Sequence, residues 1–184
     1  MENKLKKPQF TLYIVGFVLF MIIGFIFILR GLGGGKEEPQ MSLSCGDHQF
    51  QTLYYGDRYN EMRSDLEKGF SRVLNEETWE DLPYVHIGEE ILIDLKNYDV
   101  ENYTVYDYIL TKDGKIAYQE AVTLKYQVDV NRDGYGILKL NANASLRNDE
   151  LNLLEGQVIR GFILRTMIEG SDFAFGFVVR TDSL

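Results

Sequence analysis

Asp129-Val130-Asn131-Arg132-Asp133-Gly134 alternates oxygen-bearing side chains in the manner that a hard cation requires. The stretch matches the first half of an EF-hand calcium loop, where alternate oxygens wrap the ion and glycine permits the sharp turn. The second half departs from that pattern. The ninth position is Ile137, and the twelfth, which should supply a bidentate Glu, is Leu140. The flanking residues alternate like strands, not helices. Asp129, Asn131 and Asp133 are thus a calcium candidate with half a coordination shell. A polar hairpin turn with Gly134 at positive φ accounts for the same residues.

Cys45 and His48 form a C-x-x-H pair, half of a zinc site or a nucleophile beside a base. A second pair is missing, since His86 is the one other histidine and Cys45 the one cysteine. His86 itself reads as a surface residue of a short strand ahead of Gly88. Glu76, Glu77, Glu80 and Asp81 could offer paired carboxylates for glycoside cleavage, although clustered acids usually make a solvated face. The chain has no P-loop, dinucleotide fingerprint or G-x-S-x-G elbow.

Tyrosine is abundant, with 12 residues. Tyr54, Tyr55, Tyr103, Tyr106 and Tyr108 cannot all be hidden on one face of an alternating strand, so they are the candidate binding surface. The competing reading covers both faces of the central strand, one by the core and one by an accessory helix.

These groups must be held by the elements around them, and one element also sets their location. Phe10–Leu29 carries no charge, and Thr11 is its one clearly polar side chain. Twenty helical residues span about 30 Å, the hydrocarbon thickness of a bilayer. Residues 10–29 therefore read as a transmembrane helix. A cleaved signal peptide has a shorter apolar core and a small-x-small site, whereas this run lacks an Ala-x-Ala pattern. Leu43-Ser44-Cys45 loosely resembles a lipobox, but Lys36, Glu37, Glu38 and Pro39 separate it from the apolar run. Lys4, Lys6 and Lys7 precede the run, while Arg30 and Lys36 follow it, which favours a cytoplasmic N-terminus over residues 1–9. Gly16 and Gly24 do not make the G-x-x-x-G spacing of close helix dimers.

The remainder then faces outward. Net charge over the whole chain is −9, and it becomes more negative once the basic residues around the apolar run are set aside. This balance argues against nucleic acid or an anionic membrane surface as the natural partner. Residues 30–48 read as a flexible, glycine-rich linker and 49–184 as one extracytoplasmic domain. With one cysteine there is no intrachain disulfide, as is ordinary in a Gram-positive type of envelope, so a bacterial source is expected. The sequons at Asn102 and Asn143 are short enough to arise by chance.

Within the domain, Tyr59, Met62, Leu66, Phe70 and Val73 recur at helical steps, with Asp57 as a cap and Gly69 as the left-handed stop. That spacing predicts a helix over residues 57–68, with residues 70–75 either continuing it or beginning a strand. Beyond Tyr84 the period becomes two. Ile91, Ile93 and Leu95 alternate with Glu90, Leu92 and Asp94. The pattern recurs at Val122–Val130 and Phe173–Val179. Tyr103–Leu110, Ile137–Ala142 and Val158–Ile168 are rich in β-branched and aromatic residues. Turns are expected at Lys112-Asp113-Gly114, Arg132-Asp133-Gly134 and Glu169-Gly170-Ser171-Asp172.

The expected fold is mainly β: a transmembrane helix followed by one antiparallel β-sandwich of seven or eight strands, immunoglobulin-like in layout, with a short accessory helix. A closed barrel is the alternative. The function expected is binding, as an extracytoplasmic interaction module or accessory subunit of a cell-envelope complex with a protein or envelope partner, without catalysis or a cofactor. The alternatives are a membrane-tethered wall hydrolase with paired carboxylates and a calcium-dependent adhesion or sensor domain.

Overall fold

The computed structural model describes residues 38–56, 62–78, 80–118, 124–142 and 156–183, together with Met21. The chain divides into two units, Met1–Glu38 and Pro39–Leu184. Apart from Met21, the run Phe10–Leu29 lies outside the described residues. Among the described residues no helix is long and apolar enough to cross a membrane.

The second unit is mainly β. In chain order its elements are β1 (Gln40–Cys45), β2 (His48–Gln49), β3 (Leu53–Gly56), α1 (Arg63–Glu76), β4 (Glu90–Lys96), β5 (Asn102–Leu110), β6 (Leu124–Asp129), β7 (Tyr135–Lys139), β8 (Gln157–Ile168) and β9 (Ser171–Asp182). They form a four-stranded sheet, β2-β1-β4-β7, and a five-stranded sheet, β3-β9-β8-β5-β6. Every ladder within both sheets is antiparallel.

Alternation explains how the two sheets share a core. Leu43, Ile91, Ile93 and Leu138 of the smaller sheet pack with Tyr103, Val105, Phe162, Leu164, Phe175, Phe177 and Val179 of the larger. Phe162 and Phe177 stack with ring centroids 4.8 Å apart. The opposite face of the larger sheet is covered too. Leu66, Phe70 and Val73 recur at helical spacing on α1 and pack on Leu110, Ile159, Ile163, Ala174 and Val178. At Gly161 an added Cβ would lie 2.8 Å from Leu110 and 2.9 Å from Phe70, so glycine allows the helix to sit this close. With both faces covered, Val158 through Leu164 of β8 are buried without interruption.

Three boundaries differ from the sequence reading. Residues 40–49, expected mostly in the linker, form β1 and β2, and Leu43 is fully buried against β4. Met41 and Leu43 have the alternation of a strand, which the neighbouring glycines and charges obscure. The helix runs through Gly69 to Glu76 instead of stopping at residue 68. Gly69 is not a cap. A Cβ there would meet the Tyr55 hydroxyl at 2.1 Å, so the residue makes room for β3. Asp57, the expected cap, lies outside the described residues, and Met62 occupies the cap position without a side-chain bond.

The hairpin at Glu169 and Gly170 joins two strands of 12 residues each. Both central residues have positive φ, 49° and 84°, the type I′ turn that matches strand twist. The Lys112–Gly114 turn is pinned to the helix, where Ser71 Oγ donates to the Asp113 carbonyl at 2.6 Å. Arg63 extends this clamp by donating to Glu67 and to the carbonyls of Ile116 and Tyr118.

Candidate functional site

The helix covers one sheet; the outer face of the other carries no such layer among the described residues. On that face lie Leu92 on β4 and Ile137 on the edge strand β7, directly opposite each other in register. They are 38% and 45% exposed. Their outward position follows from their neighbours. Ile91, Ile93 and Leu95 turn inward and are buried, as are Gly136 and Leu138, which leaves the alternate positions outside. Ser44 lies opposite Leu92 on β1. Glu90 faces Lys139 across the β4–β7 ladder, and Asp94 faces Tyr135 while holding Lys96. An apolar cross-strand pair is thus ringed by polar groups of both signs. Sequence reading passed over these two residues in favour of tyrosines. The available signal was Leu92, an apolar residue in the polar phase of its strand.

The tyrosines separate onto different surfaces. Tyr103 is fully buried between the sheets and is therefore no binding residue; burial also holds its phenol well above the ordinary range. Tyr106 and Tyr108 are half-buried against the helix-side core, as is Tyr55. Tyr54 is the most open of the five at 39%, and its ring lies 5.5 Å from that of Phe175. These five residues do not form one patch.

The Asp129–Gly134 stretch is a turn between edge strands of the two sheets. Asn131 Oδ1 accepts the backbone N–H groups of Asp133 at 2.9 Å and Tyr135 at 3.0 Å. Gly134 has φ 86° and donates to the Asn131 carbonyl at 3.1 Å. The oxygen that would be a central calcium ligand is engaged in shaping the turn. Asp129 and Asp133 are exposed beside it. Among the described residues no three His, Cys, Asp or Glu side chains form a group able to hold a metal.

Cys45 and His48 lie opposite each other across the tight β1–β2 turn. Cys45 Sγ points to Glu89 Oε2 at 3.9 Å. Burial, then the Glu89 charge and hydrogen bond, push its thiol up, which disfavours the thiolate a nucleophile needs. The acids near the end of α1 also diverge. Glu76 accepts from Gln51 and Asp81 from Thr78, while Glu80 is exposed. Glu77 is half-buried, and burial followed by Asp81 and Glu76 raises its carboxyl.

His86 belongs to a different constellation, centred on Asp182 at the end of β9. Asp182 Oδ1 accepts from the Tyr84 hydroxyl at 2.6 Å and faces His86 Nδ1 at 3.2 Å; Oδ2 accepts the Ile87 N–H at 2.8 Å. Burial alone would raise this carboxyl, but the bonds from Tyr84, Ile87 and His86 outweigh it and hold it below the usual range. Tyr84 moves the other way, to about 12, through burial and its bond to the carboxylate.

These features define a mainly β domain of two antiparallel sheets, one covered by a helix and the other with no covering layer among the described residues. In comparisons with known proteins, no family model and no curated protein matches the sequence.

Proposed function

We propose that this chain is a single-pass membrane protein, anchored through residues 10–29 with its N-terminus in the cytoplasm, whose extracytoplasmic β domain binds a protein partner. In that role it is an accessory subunit of a cell-envelope complex, with the two sheets as an immunoglobulin-like presentation scaffold. The observation that carries the reading is the exposed Leu92–Ile137 pair on the outer face of the smaller sheet. Two aliphatic side chains held outward by a rigid ladder cost solvation while the domain is alone, and gain it back against a matching surface. Protein is the partner class that fits, because an exposed apolar pair flanked by Glu90, Asp94, Lys96 and Lys139 has the mixed apolar and polar make-up of a protein interface. The acidity of the chain argues against anionic polymers.

The test is site-specific photocrosslinking in the full chain, in its own membrane, with the photoreactive residue at position 92, at position 137 and at the distant control position 112. A single adduct shared by 92 and 137, absent at 112 and lost when the other apolar residue becomes Lys, supports the reading. Absence of that adduct, or its equal yield at 112, overturns it.

A further inference from the structure

Pro83–Glu89 crosses one side of the domain and bonds to both sheets. On the larger sheet, Val85 N–H donates to the Arg180 carbonyl at 2.9 Å and Arg180 N–H to the Pro83 carbonyl at 2.8 Å. On the smaller, Gly88 N–H donates to the Leu140 carbonyl at 2.7 Å and Leu140 N–H to the Glu89 carbonyl at 2.9 Å. The Val85 side chain is fully buried in the core between the sheets. Between these anchor points the crossing is held by Asp182, which reaches Tyr84, His86 and the Ile87 N–H together.

The charged and titratable groups around Asp182 come from the crossing, β9 and β1. Tyr84, His86 and Glu89 belong to the crossing itself, with Glu89 accepting the His86 N–H at 2.7 Å. Arg180, on β9, lies over the Tyr84 ring at 5.6 Å and donates to the carbonyls of Leu82 and Glu80. Cys45 approaches Glu89 from β1, and the uncharged Gln157 lies opposite Asp182 on β8.

We propose that Pro83–Glu89 is an acid-released strap, closed over this side of the domain while Asp182 is ionised and lifted at His86 and Ile87, between the anchors at Val85 and Gly88, once Asp182 is protonated. The reason is donor arithmetic. An ionised carboxylate accepts all three donors, whereas the protonated group becomes a donor itself and loses the charge that strengthened each bond. The β8–β9 ladder pairs 12 residues of each strand and is buried through its middle, so it is held by many contacts besides this group and the opening is local. The inference does not rest on the anchoring or the partner proposed above.

Hydrogen exchange of the full chain across an acid titration tests it, with protection corrected for intrinsic rates. Protection of the Ile87 amide is expected to fall at least about tenfold on acidification while Val85, Phe162 and Phe177 keep theirs. Asp182→Asn should show the low value already at neutral pH and no further acid response; Glu89→Gln should follow the wild type. A flat wild-type profile, loss at Phe162 and Phe177 together with the strap, or wild-type protection in Asp182→Asn would overturn it. Should Asp182→Asn fail to fold, the wild-type series alone decides.

Discussion

Arg160 and Asp107 lie together on the inner face of the five-stranded sheet, both almost wholly withdrawn from solvent. Arg160 Nε donates to Asp107 Oδ1 at 3.1 Å and Nη2 to Oδ2, while Nη1 donates to the Asn141 carbonyl at 3.0 Å. The register explains the meeting. Asp107 is opposite Phe162 and Ile109 opposite Arg160, so the two charges are diagonal neighbours on adjacent strands. The guanidinium also lies over the Phe162 ring at 5.1 Å.

Removing one member of this pair strands a buried charge. Asp107→Ala should destabilise the domain by about 3–5 kcal/mol in urea titrations. The double variant Asp107→Leu with Arg160→Met should recover most of that loss, since an apolar pair of similar volume needs no partner. Equal stability of the single and double variants would contradict this account.

Gly114 and Gly134 both sit in turns at positive φ, yet they should respond differently. At Gly114 (φ 79°) a Cβ would meet the Ser71 backbone nitrogen at 2.5 Å; at Gly134 (φ 86°) nothing lies within 4 Å. Gly134→Ala should cost about 1–2 kcal/mol from backbone strain alone. Gly114→Ala adds a collision with helix backbone and should cost clearly more, with the difference read as a gap between the two melting temperatures.

Asn131→Ala removes the acceptor for two turn amides and should lower stability by about 1–3 kcal/mol. Because the loss is of turn bonds, thermal melts in millimolar calcium and in chelator should show the same decrement. A decrement confined to the calcium samples would restore the cation-site reading.

Asp182 ties pH to stability with a definite sign. Its carboxyl is held lower in the folded chain than in the unfolded one. Its contribution is therefore complete above the unfolded carboxylate range and disappears as pH falls through the folded value. Urea midpoints of the wild type should decline over that acid window. Asp182→Asn should start lower at neutral pH and decline less, and parallel profiles would refute the assignment.

On the proposed binding face, partner capture and stability should respond to different residues. Leu92→Ser and Ile137→Ser should change stability by no more than about 0.5 kcal/mol, as for exposed positions. Their neighbours Ile91→Ala and Leu138→Ala, fully buried, should cost about 2–5 kcal/mol. The same pair of serine variants should abolish the crosslinked adduct while leaving denaturation curves in place.

Much of the β architecture is written in local sequence. The period of two places Ile91, Ile93 and Leu95 inside, as observed, and the turn residues at Gly114, Gly134 and Gly170 fall where chains reverse. Side-chain alternation and positive-φ demand act over two to four residues, so they can be read without knowing any partner. Several misreadings share one cause. Gly69 as a helix stop, residues 40–48 as tether and Tyr103 as a surface residue each depend on a strand or side chain far away in the chain.

By itself, then, the sequence determined the strand class, most reversals, the acidity and the expectation of a membrane anchor in residues 10–29. Only the tertiary structure decided which faces are covered. It buried both sides of β8 under the smaller sheet and α1, joined Asp107 to Arg160, and left Leu92 and Ile137 outward on a sheet with no covering layer among the described residues. An alternating strand has two faces of known polarity, but the order β2-β1-β4-β7 against β3-β9-β8-β5-β6 sets what each face meets, and that order is made by pairings between residues distant in sequence.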